Sequence, residues 1–191
     1  QREAWRSELP ELPSAKRHRY ADALGLSQYD ARVLTDERSM AQYFETVVAG
    51  GADPKLSANW ITGDIAAYVN SNRLNFVELA FRPEQLAEMI KLIDGGKISG
   101  KIAKEILPEL LEKGGSPKAI VEERGLGMIS DPAAITAIVE ELLAAHPDEV
   151  EAFRGGKNKL QGFFVGQLMK KTGGKADPKL ANQILSQKLK G

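Results

Sequence analysis

The segment from Gly95 to Lys101 has the glycine and Gly-Lys spacing of a loop that binds nucleotide phosphates. Two features count against that chemistry. Ile102 follows the lysine where the motif needs a serine or threonine to hold magnesium, and the preceding residues have the period of a helix, not of a buried strand. A structural interpretation is therefore favoured, in which Gly95 and Gly96 end one helix and Ser99 caps the next helix.

Few other side chains have the types and spacing that chemistry requires. The sequence contains no cysteine and two histidines. His18 lies in a basic run and His146 precedes a proline at a predicted helix end, so surface or capping roles are favoured for both. The adjacent carboxylates Glu140 and Glu141 are typical of a solvated helix face. The sequence predicts no catalytic residue, no metal site and no cofactor bound by this chain itself.

Charge is unevenly distributed along the chain, although the net charge is zero. Residues 151–191 carry nine basic and two acidic residues, a local charge of +7, and residues 1–150 carry the compensating −7. An asymmetry of this size favours a polyanionic partner for the C-terminal part, most often a nucleic acid. A lysine-rich surface that is only solvated is the alternative.

The C-terminal lysines flank one predicted helix, at 157–172. Phosphates could be held by lysines at its start and by lysines at its end and in the following turn. In chain order these are Lys157, Lys159, Lys170, Lys171 and Lys175. Contacts of this kind position a nucleic acid without reading its base sequence.

The same helix contains Gly162 and Gly166. Each glycine costs a helix about 1 kcal/mol relative to alanine, which predicts that close contact with another helix compensates for the loss. Phe163 and Phe164 could stack on RNA, but core positions are favoured for both.

Helices are predicted to position these side chains. Apolar residues recur every three or four positions, and Asp-Pro or Ser-Pro pairs place a capping side chain before a proline in the first turn. The prediction is an all-α fold with helices at 15–24, 28–35, 39–49, 54–70, 83–94, 100–112, 117–124, 132–145, 147–154, 157–172 and 178–189. Pro108 is expected to kink the sixth of these helices or to divide it near Leu107.

A glycine-rich stretch at 125–130 precedes the change in charge and predicts a domain boundary. Two small helical domains are expected: a helical domain at 39–127, and a basic tail domain at 128–191 that forms a three- or four-helix bundle. The glycines Gly125 and Gly127 predict a hinge, with a tail that is mobile in the absence of RNA. Because the chain begins at Gln1 within a charged stretch, residues 1–38 are expected to be the remnant of an upstream domain and its linker.

Three stretches resemble one known family. KNKLQGFFVGQLMKKTGGKADPKLAN, at 157–182, resembles the signature of the tail domain shared by the B subunit of the aspartyl/glutamyl-tRNA amidotransferase and its small stand-alone (YqeY-like) relatives. GGKISGKIAKEI, at 95–106, resembles the signature of the helical domain before it. LPELP, at 9–13, followed by Arg19 and Tyr20, is similar to the end of the catalytic cradle domain, which the stand-alone relatives lack. The resemblance therefore favours the amidotransferase over the stand-alone relatives.

A sequence without cysteine fits a reducing compartment, so a cytoplasmic location is expected. The resemblance implies a heterotrimer with an amidase subunit, which releases ammonia from glutamine, and a small third subunit. In that family the cradle domain uses ATP and magnesium to amidate misacylated Glu-tRNA or Asp-tRNA, and no position of this chain matches its catalytic residues. The resemblance also implies that the helical and tail domains reach along the tRNA and contact its outer corner, and it adds Gln161 and Gln167 to the five lysines as polar candidates. Which tRNA is the substrate stays open.

Other hypotheses remain open. The chain could be a protein-interaction scaffold without direct RNA contact, or a stand-alone relative of the tail domain. An autonomous nucleotide-dependent enzyme would instead require ATP binding that depends on Lys101. No membrane partner is expected, because no apolar run approaches the roughly 18 residues needed to cross a bilayer.

Overall fold

The computed structural model describes residues 11–190, and helices dominate this range. In chain order they are α1 (Pro13–Asp22), α2 (Gln28–Asp36), α3 (Arg38–Ala49), α4 (Pro54–Trp60), α5 (Ala66–Asn72), α6 (Pro83–Asp94), α7 (Gly100–Lys113), α8 (Pro117–Glu123), α9 (Pro132–Ala145), α10 (Pro147–Arg154), α11 (Leu160–Lys171) and α12 (Pro178–Lys190). A π-helical turn (Ile61–Ile65) joins α4 to α5, and a 3₁₀ turn (Phe76–Glu78) precedes α6. Between residues 11 and 190 no strand forms, so the all-α prediction is confirmed.

Capping side chains begin several helices where the sequence predicted them. The Asp53 carboxylate accepts a hydrogen bond from the Leu56 N–H (2.8 Å), and the Ser99 hydroxyl accepts one from the Ile102 N–H (3.2 Å). The Asp131 carboxylate likewise accepts from the first N–H groups of α9. These bonds satisfy donors that have no partner within the helix, which is why the helix starts could be located from local sequence.

Helix α7 runs without a break through Pro108, so the predicted division at Leu107 is wrong, whereas the alternative of a kink stays a prediction. A proline in a helix interior costs about 3 kcal/mol. Its neighbours Leu107, Leu110 and Leu111 are buried, and burial of each such side chain contributes roughly 1.5–3 kcal/mol. The apolar face therefore offsets the missing hydrogen bond.

Packing divides the described chain into two compact units. The first comprises residues 11–94 and 107–118, and the second comprises residues 95–106 and 119–190. This division differs from the boundary that composition indicated. Residue 128 hydrogen-bonds to the 95–106 segment and residue 129 to residues 175 and 177, so the 95–106 segment belongs with the tail. The ranges 1–38, 39–127 and 128–191 stay predictions, and residues 1–10, which include Leu9 and Pro10 of the LPELP motif, lie outside the described residues.

The first unit has an aromatic core. The rings of Tyr20 and Phe44 are 5.0 Å apart and both side chains are fully buried. Tyr43 packs edge-on against Phe76, and its hydroxyl donates a 2.8 Å hydrogen bond to the carbonyl oxygen of Phe81. Burial raises the pKa of the Tyr43 phenol, so this hydroxyl stays a donor.

The second unit contains a bundle of four helices, α9 to α12, which confirms the predicted C-terminal bundle. Its core includes Ile135 and Val139 from α9, Phe164 and Leu168 from α11, and Leu185 from α12, all fully buried. Helix α11 therefore packs against the bundle through one face, and its opposite face is exposed to solvent. None of the described helices is long and apolar enough to cross a membrane.

Candidate nucleic-acid interface

Three of the five lysines predicted to contact RNA are exposed at the two ends of α11. Lys157 and Lys159 precede the helix and Lys170 lies in its last turn. None of the three forms an ion pair with a residue of the described chain. Their ammonium groups are therefore available to an external anion.

The other two predicted lysines have partners inside the second unit. The Lys171 ammonium lies 2.5 Å from the Glu141 carboxylate of α9. Lys175 is half-buried, and its ammonium donates a 2.8 Å hydrogen bond to the Gly125 carbonyl oxygen. An RNA phosphate would have to compete with these contacts, so Lys157, Lys159 and Lys170 are the stronger candidates.

The two predicted glutamines, Gln161 and Gln167, lie on α11 and are half-buried. Neither side chain makes a hydrogen bond to another described residue. Their amide groups remain able to donate and accept hydrogen bonds, although the two side chains do not lie on the same face of the helix.

Gly162 and Gly166 lie on the outer face of α11, and the predicted close helix contact is wrong. A Cβ built on either glycine would meet no atom within 4 Å. Both glycines are exposed, because the buried stripe of Phe164 and Leu168 turns them toward solvent. No close contact at these two positions offsets the conformational freedom that the glycines add to the unfolded state.

The two phenylalanines differ in burial. Phe164 is fully buried, as predicted, whereas Phe163 is half-buried and packs against the core. His146, for which a surface or capping role was predicted, packs edge-on against Phe163 with ring centroids 5.3 Å apart. Its Nδ1 lies 3.8 Å from the Glu149 carboxylate.

Sequence analysis missed a pairing between two Gly-Gly-Lys turns, at 95–97 and 173–175. The Met128 N–H donates to the Lys97 carbonyl oxygen and the Ile129 N–H donates to the Lys175 carbonyl oxygen, each at 2.7 Å. The repeated Gly-Gly-Lys tripeptide was visible in the sequence. No local pattern, however, indicates that residues 128 and 129 hydrogen-bond to both copies.

The Gly95–Lys101 segment does not fit the phosphates of a nucleotide. Helix α6 precedes it, as expected, where a phosphate-binding loop follows a strand. The Ser99 hydroxyl caps α7 and lies 3.4 Å from the Gly174 carbonyl oxygen. The Lys101 side chain also lies against Gly174, so these residues are engaged with the second turn.

Charge within the second unit is segregated by segment. Residues 131–151 contain six acidic residues and no lysine or arginine, whereas residues 154–190 contain nine basic residues and one acidic residue. Two ion pairs join the segments, Lys171 to Glu141 and Lys188 to Glu140. The remaining basic side chains outnumber their internal partners, as is typical of a surface that binds a polyanion.

The first unit holds a different kind of charged cluster, beside a cavity of about 630 Å³. The Arg19 guanidinium lies 2.5 Å from the carboxylates of Glu11 and Glu45, and Lys16 lies 2.9 Å from Glu45. The hydrogen bond from Arg19 lowers the pKa of Glu11. Burial opposes ionisation of Glu45, but hydrogen bonds from Lys16 and Arg19 outweigh it and lower its pKa. Carboxylates held ionised in this way stabilise the unit and are poorly suited to proton donation.

Comparison with known proteins gives the chain a family. The GatB domain family matches residues 42–189. The B subunit of the aspartyl/glutamyl-tRNA(Asn/Gln) amidotransferase from Parasynechococcus marenigrum is 89% identical over 191 residues, which cover 100% of this chain and 39% of the relative. The protein of the same name from Prochlorococcus marinus is 75% identical over 189 residues, which cover 99% of this chain and 38% of the relative. The one from Synechococcus elongatus is 72% identical over 191 residues, which cover 100% of this chain and 39% of the relative.

The chain thus spans about two fifths of the length of the curated relatives that it matches. The family match covers most of the chain, and the similarity to the relatives extends over nearly all of it. The chain belongs to the GatB domain family, together with the B subunits of aspartyl/glutamyl-tRNA(Asn/Gln) amidotransferases.

Proposed function

We propose that this chain holds tRNA for a tRNA-dependent amidotransferase, and that the second unit supplies the contacts. The observation that carries the proposal is the set of exposed lysines without ion pairs, Lys157, Lys159 and Lys170, in a region with nine basic residues and one acidic residue. Relatives named for their action on aminoacyl-tRNA make RNA the most reasonable polyanion.

The two groups of lysines are separated by the length of α11. That helix has 12 residues, which corresponds to about 18 Å at 1.5 Å per residue. The two ends of α11 would therefore engage phosphates that lie about 18 Å apart on the RNA surface. Contacts spread in this way recognise the shape of a folded RNA.

The remaining predicted contacts would act less directly. Lys171 and Lys175 would first have to leave Glu141 and the Gly125 carbonyl, so their contribution is smaller. Gln161 and Gln167 could hydrogen-bond phosphate or 2′-hydroxyl oxygens, which also lack base information.

In this proposal the chain binds and orients tRNA, and other parts of a cytoplasmic complex do the chemistry. A region upstream of this chain would use ATP and magnesium, an amidase subunit would release ammonia from glutamine, and a small third subunit would complete the heterotrimer. The product would be Gln-tRNA or Asn-tRNA, formed from misacylated Glu-tRNA or Asp-tRNA for protein synthesis.

The test is tRNA binding by the full chain over a series of salt concentrations. The triple variant Lys157→Gln, Lys159→Gln, Lys170→Gln removes three of the proposed contacts. A matched control removes the same number of exposed lysines from the first unit: Lys55→Gln, Lys91→Gln, Lys113→Gln. Each lost phosphate contact should reduce the slope of log affinity against log salt by about 0.7–0.9, so the triple variant should lose about 2–3 from the slope.

The outcomes separate the hypotheses. A large loss of tRNA affinity in the triple variant and a small loss of tRNA affinity in the control would support the proposal. If the unchanged chain does not bind tRNA, or if the triple variant binds as well as the control, the scaffold hypothesis takes its place.

A further inference from the structure

We infer that Glu140 and Glu141 act as specificity-determining residues, which keep Lys171 and Lys188 from binding flexible, unspecific polyanions. The inference rests on the proposed function, because it concerns which RNA the second unit accepts. It assigns a role to two adjacent carboxylates whose sequence is typical of a solvated helix face.

Each of the two carboxylates holds one lysine. The Glu141 carboxylate of α9 lies 2.5 Å from the Lys171 ammonium at the end of α11, and the Glu140 carboxylate lies 2.6 Å from the Lys188 ammonium of α12. At this distance a carboxylate occupies the position that a phosphate oxygen would take on the same ammonium group. A polyanion that uses either lysine must therefore displace a glutamate first.

These two ion pairs are open to solvent. The side chains of Glu140 and Glu141 are 56% and 68% exposed, and those of Lys188 and Lys171 are 43% and 39% exposed. Ion pairs with this exposure contribute little to the stability of a fold. The pairs can therefore be exchanged or removed without loss of the bundle, which suits a role in binding.

The paired lysines face a different side of the bundle from the free lysines. Lys159 and Lys170 are eleven residues apart, close to three helical turns, so they share the outer face of α11. Lys171 follows one position later, which turns its side chain by about 100° around the helix. It faces α9, as Lys188 does from α12.

A folded RNA and a flexible strand would use these two sides differently. A rigid, folded RNA contacts the surface that it fits, which in the proposed function is the outer face of α11 with its two ends. A single strand bends, so its phosphates can follow lysines around the bundle and would gain contacts at Lys171 and Lys188 if these were unpaired. Because specificity is a difference between two affinities, weakening the flexible competitor raises the preference for folded RNA.

The experiment measures binding of tRNA and of single-stranded polyuridine RNA by the full chain carrying Glu140→Gln and Glu141→Gln. Each freed lysine should add about 0.7 to the slope of log affinity against log salt for the single strand, about 1.4 in total. The affinity for polyuridine should rise roughly threefold to tenfold, because two competing ion pairs are removed. The affinity for tRNA should rise by less than about twofold, because charges outside its contact surface are screened.

Two control variants carry matched changes. Asp148→Asn with Glu151→Gln removes the same charge from exposed carboxylates of α10 that form no ion pair with a lysine or arginine of the described chain, so this variant reports the general effect of charge. Lys171→Gln with Lys188→Gln breaks the same two ion pairs from the other side, so this variant reports any loosening of the bundle. Neither control should reproduce the gain in polyuridine affinity.

The results separate this inference from the proposed function. If the Glu140/Glu141 variant gains no more polyuridine affinity than the Asp148/Glu151 control, or gains as much affinity for tRNA as for polyuridine, the inference fails and the proposed function stands. If the Lys171→Gln, Lys188→Gln variant also gains polyuridine affinity, the ion pairs act through the fold and the inference is overturned. If the unchanged chain does not bind tRNA, both fail.

Discussion

The basic side chains of the first unit's α1 contact carboxylates of their own unit, whereas several exposed lysines of the second unit contact none. Lys16 and Arg19 share Glu45, and Arg17 lies 3.7 Å from Asp36. In the second unit, Lys157 and Lys97 are exposed without ion pairs within the described chain. Charge that is balanced internally contributes to stability, and charge that is left unbalanced is available for binding.

A count of charged residues would not separate these two roles. Lys171 and Lys188 belong to the basic tail, yet each is tied to a glutamate of α9. They resemble the first unit's cations in being balanced, so a variant at either should affect packing of the bundle more than RNA affinity.

The largest expected effect tests whether the second unit is stabilised by its apolar core. Phe164→Ala should lower the free energy of unfolding by about 3–5 kcal/mol, because it leaves a cavity at a fully buried position. Hydrogen exchange should report the loss of protection within residues 132–190. Phe163→Ala, at a half-buried neighbour, is the control and should cost less; equal losses would contradict the burial difference.

Charge reversal at Lys157, Lys159 and Lys170 should weaken tRNA binding without loss of stability. We expect Lys157→Glu, Lys159→Glu, Lys170→Glu to lose at least a hundredfold in affinity, about 2.7 kcal/mol, in a salt-dependent manner. The thermal midpoint should change little, because these side chains have no internal ion pairs to lose. A large fall in the midpoint would show that the lysines serve the fold.

Gly174→Ala should destabilise the second unit by about 1–2 kcal/mol, because L-residues are strained in the left-handed region. It should also displace Lys101, whose side chain lies within 3.1 Å of the added Cβ. Urea unfolding measures the loss of stability. Unchanged stability would argue against the left-handed backbone conformation of Gly174.

In the first unit, Glu45→Gln should reduce stability at pH 7 by about 1 kcal/mol, a modest value because the carboxylate is partly exposed to solvent. The pKa of Glu45 is lowered from 4.5 in the folded state, so its contribution is complete above that pH and is lost as the pH falls through the folded value. The difference between the variant and the unchanged chain in urea unfolding should therefore shrink steadily as the pH is lowered from 4.5. A difference that persists in acid would contradict an ionic origin.

The smallest effects have the opposite sign. Gly162→Ala and Gly166→Ala should each stabilise α11 by about 0.5–1 kcal/mol, because the added methyl group meets open space. Urea midpoints measured without RNA check this expectation. If both substitutions stabilise the chain and weaken tRNA binding, RNA approaches this face of the helix; if both destabilise it, the outer face of α11 is not open.

Much of the helical architecture could be predicted because its signals are local. Asp53 and Asp131 cap helices through donors within three residues, and the apolar period of α9 is readable without knowledge of its neighbours. The predictions that failed required distant information. The break at Leu107 does not occur because the apolar face of α7 is buried, and the expected packing of Gly162 and Gly166 does not occur because other residues of α11 turn inward.

The candidate site shows the same limit. The basic tail and its lysines were visible in the sequence, as was the family resemblance, since charge and motif are properties of the chain itself. Only the tertiary structure decided which lysines already have a partner within the chain: Lys171 pairs with Glu141, and Lys175 hydrogen-bonds to the Gly125 carbonyl oxygen. It alone brought the Lys101 side chain to Gly174, because residues 73 positions apart meet through hydrogen bonds from a third segment, and no local pattern encodes where that segment passes.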